Sequence, residues 1–256
     1  MRAPEVRRFL SLFIASLVLA GCASDGDRGG RDGLSVAPRR TVHASADERA
    51  RRDASLATYQ AGRAAEEGRL DEALRLARRA VGIDPQSLEA LAVLGIIQER
   101  SGDVEVAGET YKRALMLAPS NVDAVNNYGS WLCSQGQAAE ALVVLDRALA
   151  TTEGKHSPGL LANAGTCALH AGQVVRAEQD LRAALVLDPG HTQALKDMAR
   201  VLAGRNEWMG ARAFYQRRLA AAPADVSVLQ LAIEIEQGLG DMKAAEHYRQ
   251  LLQLHP

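Results

Sequence analysis

The chain has 256 residues, of which 47% are hydrophobic and only 4% aromatic, and its 30 basic and 31 acidic residues nearly cancel. Nucleic-acid binders use a basic surface and aromatic stacking platforms, and this composition provides neither. The sequence therefore argues against a nucleic-acid partner.

The amino terminus has the pattern of an export signal over residues 1–21. Three arginines precede an apolar run from Phe9 to Ala20, which is too short to cross a bilayer and is typical of a secretory signal peptide. The run leads into Leu-Ala-Gly-Cys, which resembles the bacterial lipobox. That resemblance implies cleavage before Cys22 and acylation of Cys22, and several acyl chains give stable anchoring. No Asp follows Cys22 directly, which by family analogy implies a lipid anchor in the outer membrane, at its periplasmic face.

A flexible tether is expected to follow Cys22, over residues 22–46. This stretch is rich in Gly, Asp, Arg and Ser and shows no helical period. Its glycines lack the preceding strand and the following Lys-Ser/Thr of a phosphate-binding loop. The sequence therefore predicts no nucleotide site here.

A single skeleton recurs through residues 47–256. One alanine position repeats at intervals of 34, 34, 36, 34 and 34 residues, and turn glycines keep the same step, with Asn206 as their one exception. Asn is the non-glycine residue that best tolerates a left-handed turn. A 34-residue helical period is the signature of the tetratricopeptide repeat, and it predicts an all-α fold, a right-handed superhelix (α-solenoid) of about six repeats. The alanines are Ala73, Ala107, Ala141, Ala177, Ala211 and Ala245, and the repeats span 54–87, 88–121, 122–157, 158–191, 192–225 and 226–256.

Helix boundaries can be placed from prolines and capping residues. Prolines end the second helix of four repeats because they lack an N–H, and good N-cap residues follow most of them. Repeat three carries two extra residues around Thr151 to Ser157, which we expect to form a projecting loop. The four prolines are Pro85, Pro119, Pro189 and Pro223.

No catalytic or metal-binding pattern stands out in the sequence. The six histidines are scattered, and the His-Glu-x-x-His, Cys-x-x-Cys, nucleophile-elbow and dinucleotide patterns are all absent. We therefore expect no enzyme activity, no metal or other cofactor and no small-molecule substrate, and we expect protein partners instead.

Two cysteines of the repeat region fall in neighbouring first helices. Cys133 lies in repeat three and Cys167 in repeat four, and an exported protein meets an oxidising compartment. A disulfide would clamp these repeats across their irregular junction, provided that the Cα atoms come within about 7 Å. The alternative is that both are separate small apolar core residues.

First helices of such repeats line the concave groove of the superhelix. An amide there can donate to and accept from a peptide backbone, so Asn127 and Asn163, which share a register position, are candidates to hold an extended partner segment. The alternative is that they cap or bridge neighbouring helices. Trp131 and Tyr128 are expected in the core. The predicted groove residues are Asn126, Asn127, Ser130, Asn163, Thr166, Asp197 and Arg200.

Two segments carry a more specific resemblance. The run Val125–Gly129 with Leu132 and Cys133, followed by Asn163–Gly165 and Cys167, resembles the PilF/PilW family of type IV pilus lipoproteins. The resemblance implies a pilotin, an outer-membrane scaffold that binds the pilus secretin through the groove and promotes its localisation and multimerisation. The alternatives are a tight-adherence pilus assembly lipoprotein and a cell-wall-associated scaffold that regulates an envelope enzyme. Gln60 and Ala64 depart from the repeat pattern, which weakens groove assignments in repeat one.

Overall fold

The computed structural model describes residues 45–254, which contain thirteen helices and no strand. The predicted signal peptide, Cys22 and nearly all of the predicted tether lie outside these residues. Of the helices between residues 45 and 254, none has the length and apolar character needed to span a membrane. The helices are α1 Ala46–Glu66, α2 Leu70–Ile83, α3 Leu88–Arg100, α4 Val104–Leu117, α5 Val122–Ser134, α6 Ala138–Leu149, α7 Thr152–Lys155, α8 Pro158–His170, α9 Val174–Leu187, α10 Thr192–Ala203, α11 Trp208–Ala221, α12 Val226–Gly238 and α13 Met242–Gln253.

The long helices form six successive pairs that stack on one another. Helix α1 packs on α2, α3 on α4, α5 on α6, α8 on α9, α10 on α11 and α12 on α13. Each first helix also contacts the first helix of the next pair, and each second helix packs against that same neighbour. Because every pair contacts only the pairs beside it, the chain forms the predicted all-α solenoid.

The turn inside each pair explains the periodic glycines. Five turns place a glycine at positive φ, between 72° and 87°, and the sixth places Asn206 at φ 61°. Only glycine adopts this conformation without strain, and asparagine tolerates it best among the other residues. The turn at Asn206 therefore has the same conformation as the five glycine turns.

Helix ends follow the local sequence. Helices α2, α4, α9 and α11 each stop two residues before a proline. The next first helix begins with a side chain that accepts a hydrogen bond from a backbone N–H three residues on, and in α10 the acceptor is Nδ1 of His191, 3.3 Å from Ala194 N. The other caps are Ser87, Asn121 and Asp225.

Small residues set the close approach of the helices. All six periodic alanines are fully buried, at 0% exposure. A second small position lies in the first helices, where a Cβ added to Gly129 would come 2.6 Å from Leu145 and one added to Gly165 would come 2.7 Å from Leu181. Heavy atoms cannot approach so closely, so these glycines are needed for the packing of each pair.

We expect Gly165→Ala to destabilise the protein by about 1–3 kcal/mol, because the added methyl group overlaps Leu181 and the packed pair must move apart. Gly62→Ala is the matched control, since it lies inside α1 with no atom within 4 Å of the added Cβ. That change should stabilise the helix by about 0.5–1 kcal/mol. Urea unfolding monitored by circular dichroism measures both, and equal effects would contradict this account.

The insertion in repeat three differs from the expected projecting loop. Residues Thr152–Lys155 form the short helix α7, which packs against α6 and α8. Gly154 is buried, and a Cβ there would come 2.0 Å from the carbonyl oxygen of Ala148. The two extra residues therefore extend the packed surface between repeats three and four.

Two tyrosines in second helices hydrogen-bond to carboxylates of a first helix. The Tyr111 hydroxyl donates to Glu99 at 2.7 Å, and the Tyr215 hydroxyl donates to Glu236 of the following repeat. Burial, followed by the hydrogen bond to the carboxylate, raises the pKa of both Tyr111 and Tyr215 well above its ordinary value. Both hydroxyls therefore stay protonated and act as permanent donors.

Candidate protein-binding groove

Helices α3 and α5, with one residue of α4, line a cavity that includes the predicted groove residue Asn127. Its volume is about 330 Å³. Its lining combines leucine, valine and alanine with the acidic residues Glu89 and Asp123 and the asparagines Asn121 and Asn127. The lining residues are Leu88, Glu89, Ala92, Val93, Ala114, Asn121, Asp123, Ala124 and Asn127.

Of the predicted groove residues, Asn127 and Ser130 have side chains available to a partner. Asn127 is half-buried in the wall of the cavity, and Ser130, one turn further along α5, is exposed. Neither makes a side-chain hydrogen bond with another part of residues 45–254. An unengaged amide beside an apolar floor suits recognition of a peptide backbone.

Asn126 and Asn163 have a different role from Asn127. The Asn163 amide donates to Oδ1 of Asn126 at 2.9 Å, which joins α8 to α5. Both side chains are half-buried. For Asn163 the structure therefore favours the alternative of a bridge between neighbouring helices.

Asp197 is a correction to the predicted groove contacts. Its side chain is 0% exposed, so it does not reach a partner in the groove. Its carboxylate instead accepts hydrogen bonds from Thr166 at 2.6 Å, Gln193 at 2.6 Å and Arg200 at 2.9 Å. A buried carboxylate needs such donors, so Asp197 fixes α8 to α10 and holds Thr166 in place.

Arg200 remains available at the groove surface despite its bond to Asp197. Its side chain is 43% exposed. Lys196 lies one turn earlier on α10, with its ammonium 3.4 Å from the Ser227 hydroxyl of α12. The part of the groove formed by α10 is therefore polar and carries cationic side chains.

The part of the groove formed by α1 and α3 is apolar, which sequence reasoning missed. Tyr59, Val93 and Asn127 occupy equivalent positions 34 residues apart, and Val93 and Asn127 both line the cavity. Tyr59 is 65% exposed, and Ile96, one turn after Val93, is 46% exposed. The signal for it in the sequence is the repeat register, which places Tyr59 and Val93 at the position of Asn127, although Gln60 and Ala64 depart from the usual pattern of large apolar residues in repeat one.

The aromatic pair of α5 belongs to the packed body. Trp131 donates from Nε1 to the carbonyl of Val104 at 2.9 Å, and its ring fills the space left by Gly108. Tyr128 stacks on Trp131 with ring centroids 5.8 Å apart. Both rings pack against the central apolar cluster, as expected for core residues.

Cys133 and Cys167 are joined as a disulfide in the structure. Their Cα atoms lie 5.5 Å apart, so α5 and α8 are linked at the junction of repeats three and four. Both residues are buried, at 4% and 1% exposure, and Nδ1 of His170 lies 3.6 Å from Sγ of Cys133. The bridge therefore lies inside the stack, below the groove.

The chemistry of the site is that of a binding surface. Hydrogen bonds, carboxylates and apolar side chains are arranged along several helices, and within residues 45–254 no group of three His, Cys, Asp or Glu side chains is placed to hold a metal ion. The groove presents the unengaged amide of Asn127 beside apolar residues, a combination that is suited to a peptide segment.

Comparison with known proteins agrees with the repeat architecture. The tetratricopeptide repeat family matches residues 64–126 and 168–233, which together make up just over half of the chain. A further tetratricopeptide repeat family matches residues 129–192. The matches follow the helix pairs α3–α4 to α10–α11, which lie wholly or largely within them.

Two type IV pilus proteins match most of the chain. The type IV pilus assembly protein PilF of Pseudomonas aeruginosa is 26% identical over 247 residues, which cover 96% of this chain and 92% of PilF. The solved structure of Pseudomonas aeruginosa PilF superposes with a TM-score of 0.66 at 25% identity, covering 83% of this chain and 95% of that one. The crystal structure of PilW, a widely conserved type IV pilus biogenesis factor, gives 0.67 at 25% identity, covering 78% and 92%. The resemblance to PilF and PilW is thus confirmed, and the chain belongs to the tetratricopeptide repeat family.

Proposed function

We propose that this protein is a scaffold for type IV pilus biogenesis. The observation that carries the proposal is the near full-length similarity to PilF, which covers 96% of this chain and 92% of PilF. A match confined to one or two repeats would reflect only the helix pair that all tetratricopeptide repeat proteins share. Similarity through nearly the whole chain is more specific than that.

The finer proposal is that the protein acts as a pilotin, which binds the pilus secretin and promotes its localisation and multimerisation. The groove supports a protein partner, because its α1–α3 part presents Tyr59 and Ile96 and its cavity adds the carboxylates of Glu89 and Asp123. Such a surface suits a segment with apolar side chains and a basic residue nearby. We infer binding without catalysis, as in other repeat scaffolds.

The proposed anchor places this groove near a membrane. Acylation of Cys22 would hold the protein at the periplasmic face of the outer membrane, with residues 22–46 as the tether. A flexible chain of this length has a mean end-to-end distance of roughly 25–30 Å. The repeat domain would then meet secretin subunits as they arrive at the membrane.

Deletion of the gene is expected to leave the secretin as monomers and to remove surface pili. Complementation with the wild-type gene should restore multimers, whereas a Cys22→Ser variant should restore fewer because it lacks the anchor. Semi-native electrophoresis of outer-membrane extracts followed by detection of the secretin measures this. Normal secretin multimers in the deletion strain would refute the pilotin role.

The groove itself is tested with a double substitution. Tyr59→Glu with Ile96→Glu should weaken secretin binding at least tenfold, because it places two charges on the apolar part of the groove. Val106→Glu with Val175→Glu is the matched control, since both valines are exposed on second helices, at 50% and 68%. Binding is measured by titration of the solubilised secretin. If both double variants bind the secretin equally well, the part of the groove formed by α1 and α3 is not the secretin-binding site.

A further inference from the structure

We propose that the outer face of helices α2, α4 and α6 docks on an anionic phospholipid membrane. We call this surface the basic face and define it by Arg78, Arg79, Lys112, Arg113 and Arg147, all of which are exposed. The proposal goes beyond the groove and does not depend on acylation of Cys22, because it rests on side chains of the second helices.

The basic face arises from the repeat register. Arg78 and Lys112 are equivalent residues 34 positions apart, and Arg79, Arg113 and Arg147 form a second series at the adjacent position. The place equivalent to Lys112 in α6 is taken by Asp146, whose carboxylate binds Arg176 of α9 at 3.2 Å. The repeat therefore stacks cations on three successive second helices.

The five cations of the basic face have no acidic partners in the described part of the chain. Within residues 45–254, none of the five has a carboxylate within 4.0 Å, whereas nine other arginines do. Arg113 is held by a hydrogen bond to the carbonyl of Pro85 at 2.6 Å, which leaves its charge uncompensated. The basic face thus presents five positive charges without ion-pair partners among the described residues, on a chain whose total charge is close to zero.

Apolar side chains stand beside the cations. Met116 and Leu117 follow Lys112 and Arg113 by one helical turn and are 74% and 43% exposed. Together with Glu109 these four residues line an open depression of about 600 Å³ on the outside of α4. Exposed methionine and leucine next to arginine and lysine match the boundary between lipid headgroups and acyl chains.

The shape of the basic face favours a membrane over a peptide. It lies on the second helices, whereas the groove is formed by the first helices, and the depression on α4 is open to solvent. A surface of repeated cations binds best to a plane of many phosphates, each contributing a weak attraction. Docking there would leave the groove open for a protein partner.

Vesicle binding by the mature chain with Cys22→Ser tests the proposal, since this variant carries no acyl chains that would mask the protein surface. The wild-type surface should float with vesicles that contain phosphatidylglycerol, should bind pure phosphatidylcholine vesicles at least tenfold more weakly, and should be released by high salt. Absence of binding to phosphatidylglycerol vesicles at low salt would overturn the proposal.

A triple charge reversal identifies the residues. Arg78→Glu with Lys112→Glu and Arg147→Glu should reduce binding to phosphatidylglycerol vesicles at least tenfold. The control Arg49→Glu with Arg51→Glu and Arg52→Glu makes the same change in net charge on exposed residues of α1 and should change it less than twofold. Equal losses of vesicle binding in the two triple variants would overturn the proposal. If the charge-reversed protein does not fold, glutamine replacements at Arg78, Lys112 and Arg147 provide the same test.

Discussion

Removal of the disulfide between Cys133 and Cys167 is expected to lower the free energy of unfolding by about 3–4 kcal/mol. The bridge closes a loop with a sequence separation of 34 residues and so restricts the unfolded chain. In a domain of this size, that loss lowers the midpoint of thermal unfolding by about 10 °C. The disulfide is therefore one of the largest single contributions to the stability of the stack.

The measurement compares thermal unfolding of the oxidised protein, the reduced protein and a Cys133→Ala, Cys167→Ala double variant. Alanine is the suitable replacement because both cysteines are almost fully buried among apolar side chains. Reductant should destabilise the wild type and leave the double variant unchanged. Identical midpoints for oxidised and reduced wild type would show that the bridge does not stabilise the fold.

The position of the disulfide between repeats three and four predicts that its removal also changes the cooperativity of unfolding. In a solenoid, cooperativity depends on the interfaces between neighbouring repeats. The junction of repeats three and four contains the insertion helix α7, and it lacks the proline that ends the second helix in four other repeats. Loss of the disulfide at this junction should therefore broaden the transition or divide it into two steps.

The helical stack was predictable because its determinants repeat. The alanine at Ala177 keeps its register even after two residues are inserted, and Asn206 replaces a turn glycine with the same backbone conformation. Each requirement is local, since a turn needs positive φ and a close helix contact needs a small side chain. Six copies of one local rule identify the fold without knowledge of any distant contact.

The groove was less predictable because its chemistry depends on pairs of residues far apart in sequence. Asn126 and Asn163 occupy different register positions, and only the lateral offset of α5 and α8 brings their amides together. Asp197 has the periodicity of a groove residue, yet Thr166 from the preceding repeat and Gln193 from its own helix cover its carboxylate. Burial of this kind follows from the side chains on neighbouring helices, which periodicity does not describe.

Replacement of Glu236 by alanine is expected to destabilise the protein by about 3 kcal/mol. Glu236 is 1% exposed and accepts hydrogen bonds from the Tyr215 hydroxyl and from Nε of Arg212, the latter at 2.9 Å. Hydrogen bonding to this carboxylate raises the pKa of Arg212 above its ordinary value. Without Glu236, the buried Tyr215 hydroxyl loses its acceptor and Arg212 keeps only Asp241, at 3.1 Å.

Glu234→Ala is the matched control, because Glu234 lies on the same helix α12 but is exposed and should change stability by less than about 0.5 kcal/mol. Glu236→Gln should fall between the two, since the amide oxygen still accepts from Tyr215 but the charge that pairs with Arg212 is gone. Urea unfolding of the three variants gives the order directly. If Glu236→Ala and Glu234→Ala unfold at the same urea concentration, the buried cluster does not hold repeat five to repeat six, and apolar packing of Tyr215 and Ile235 alone joins them.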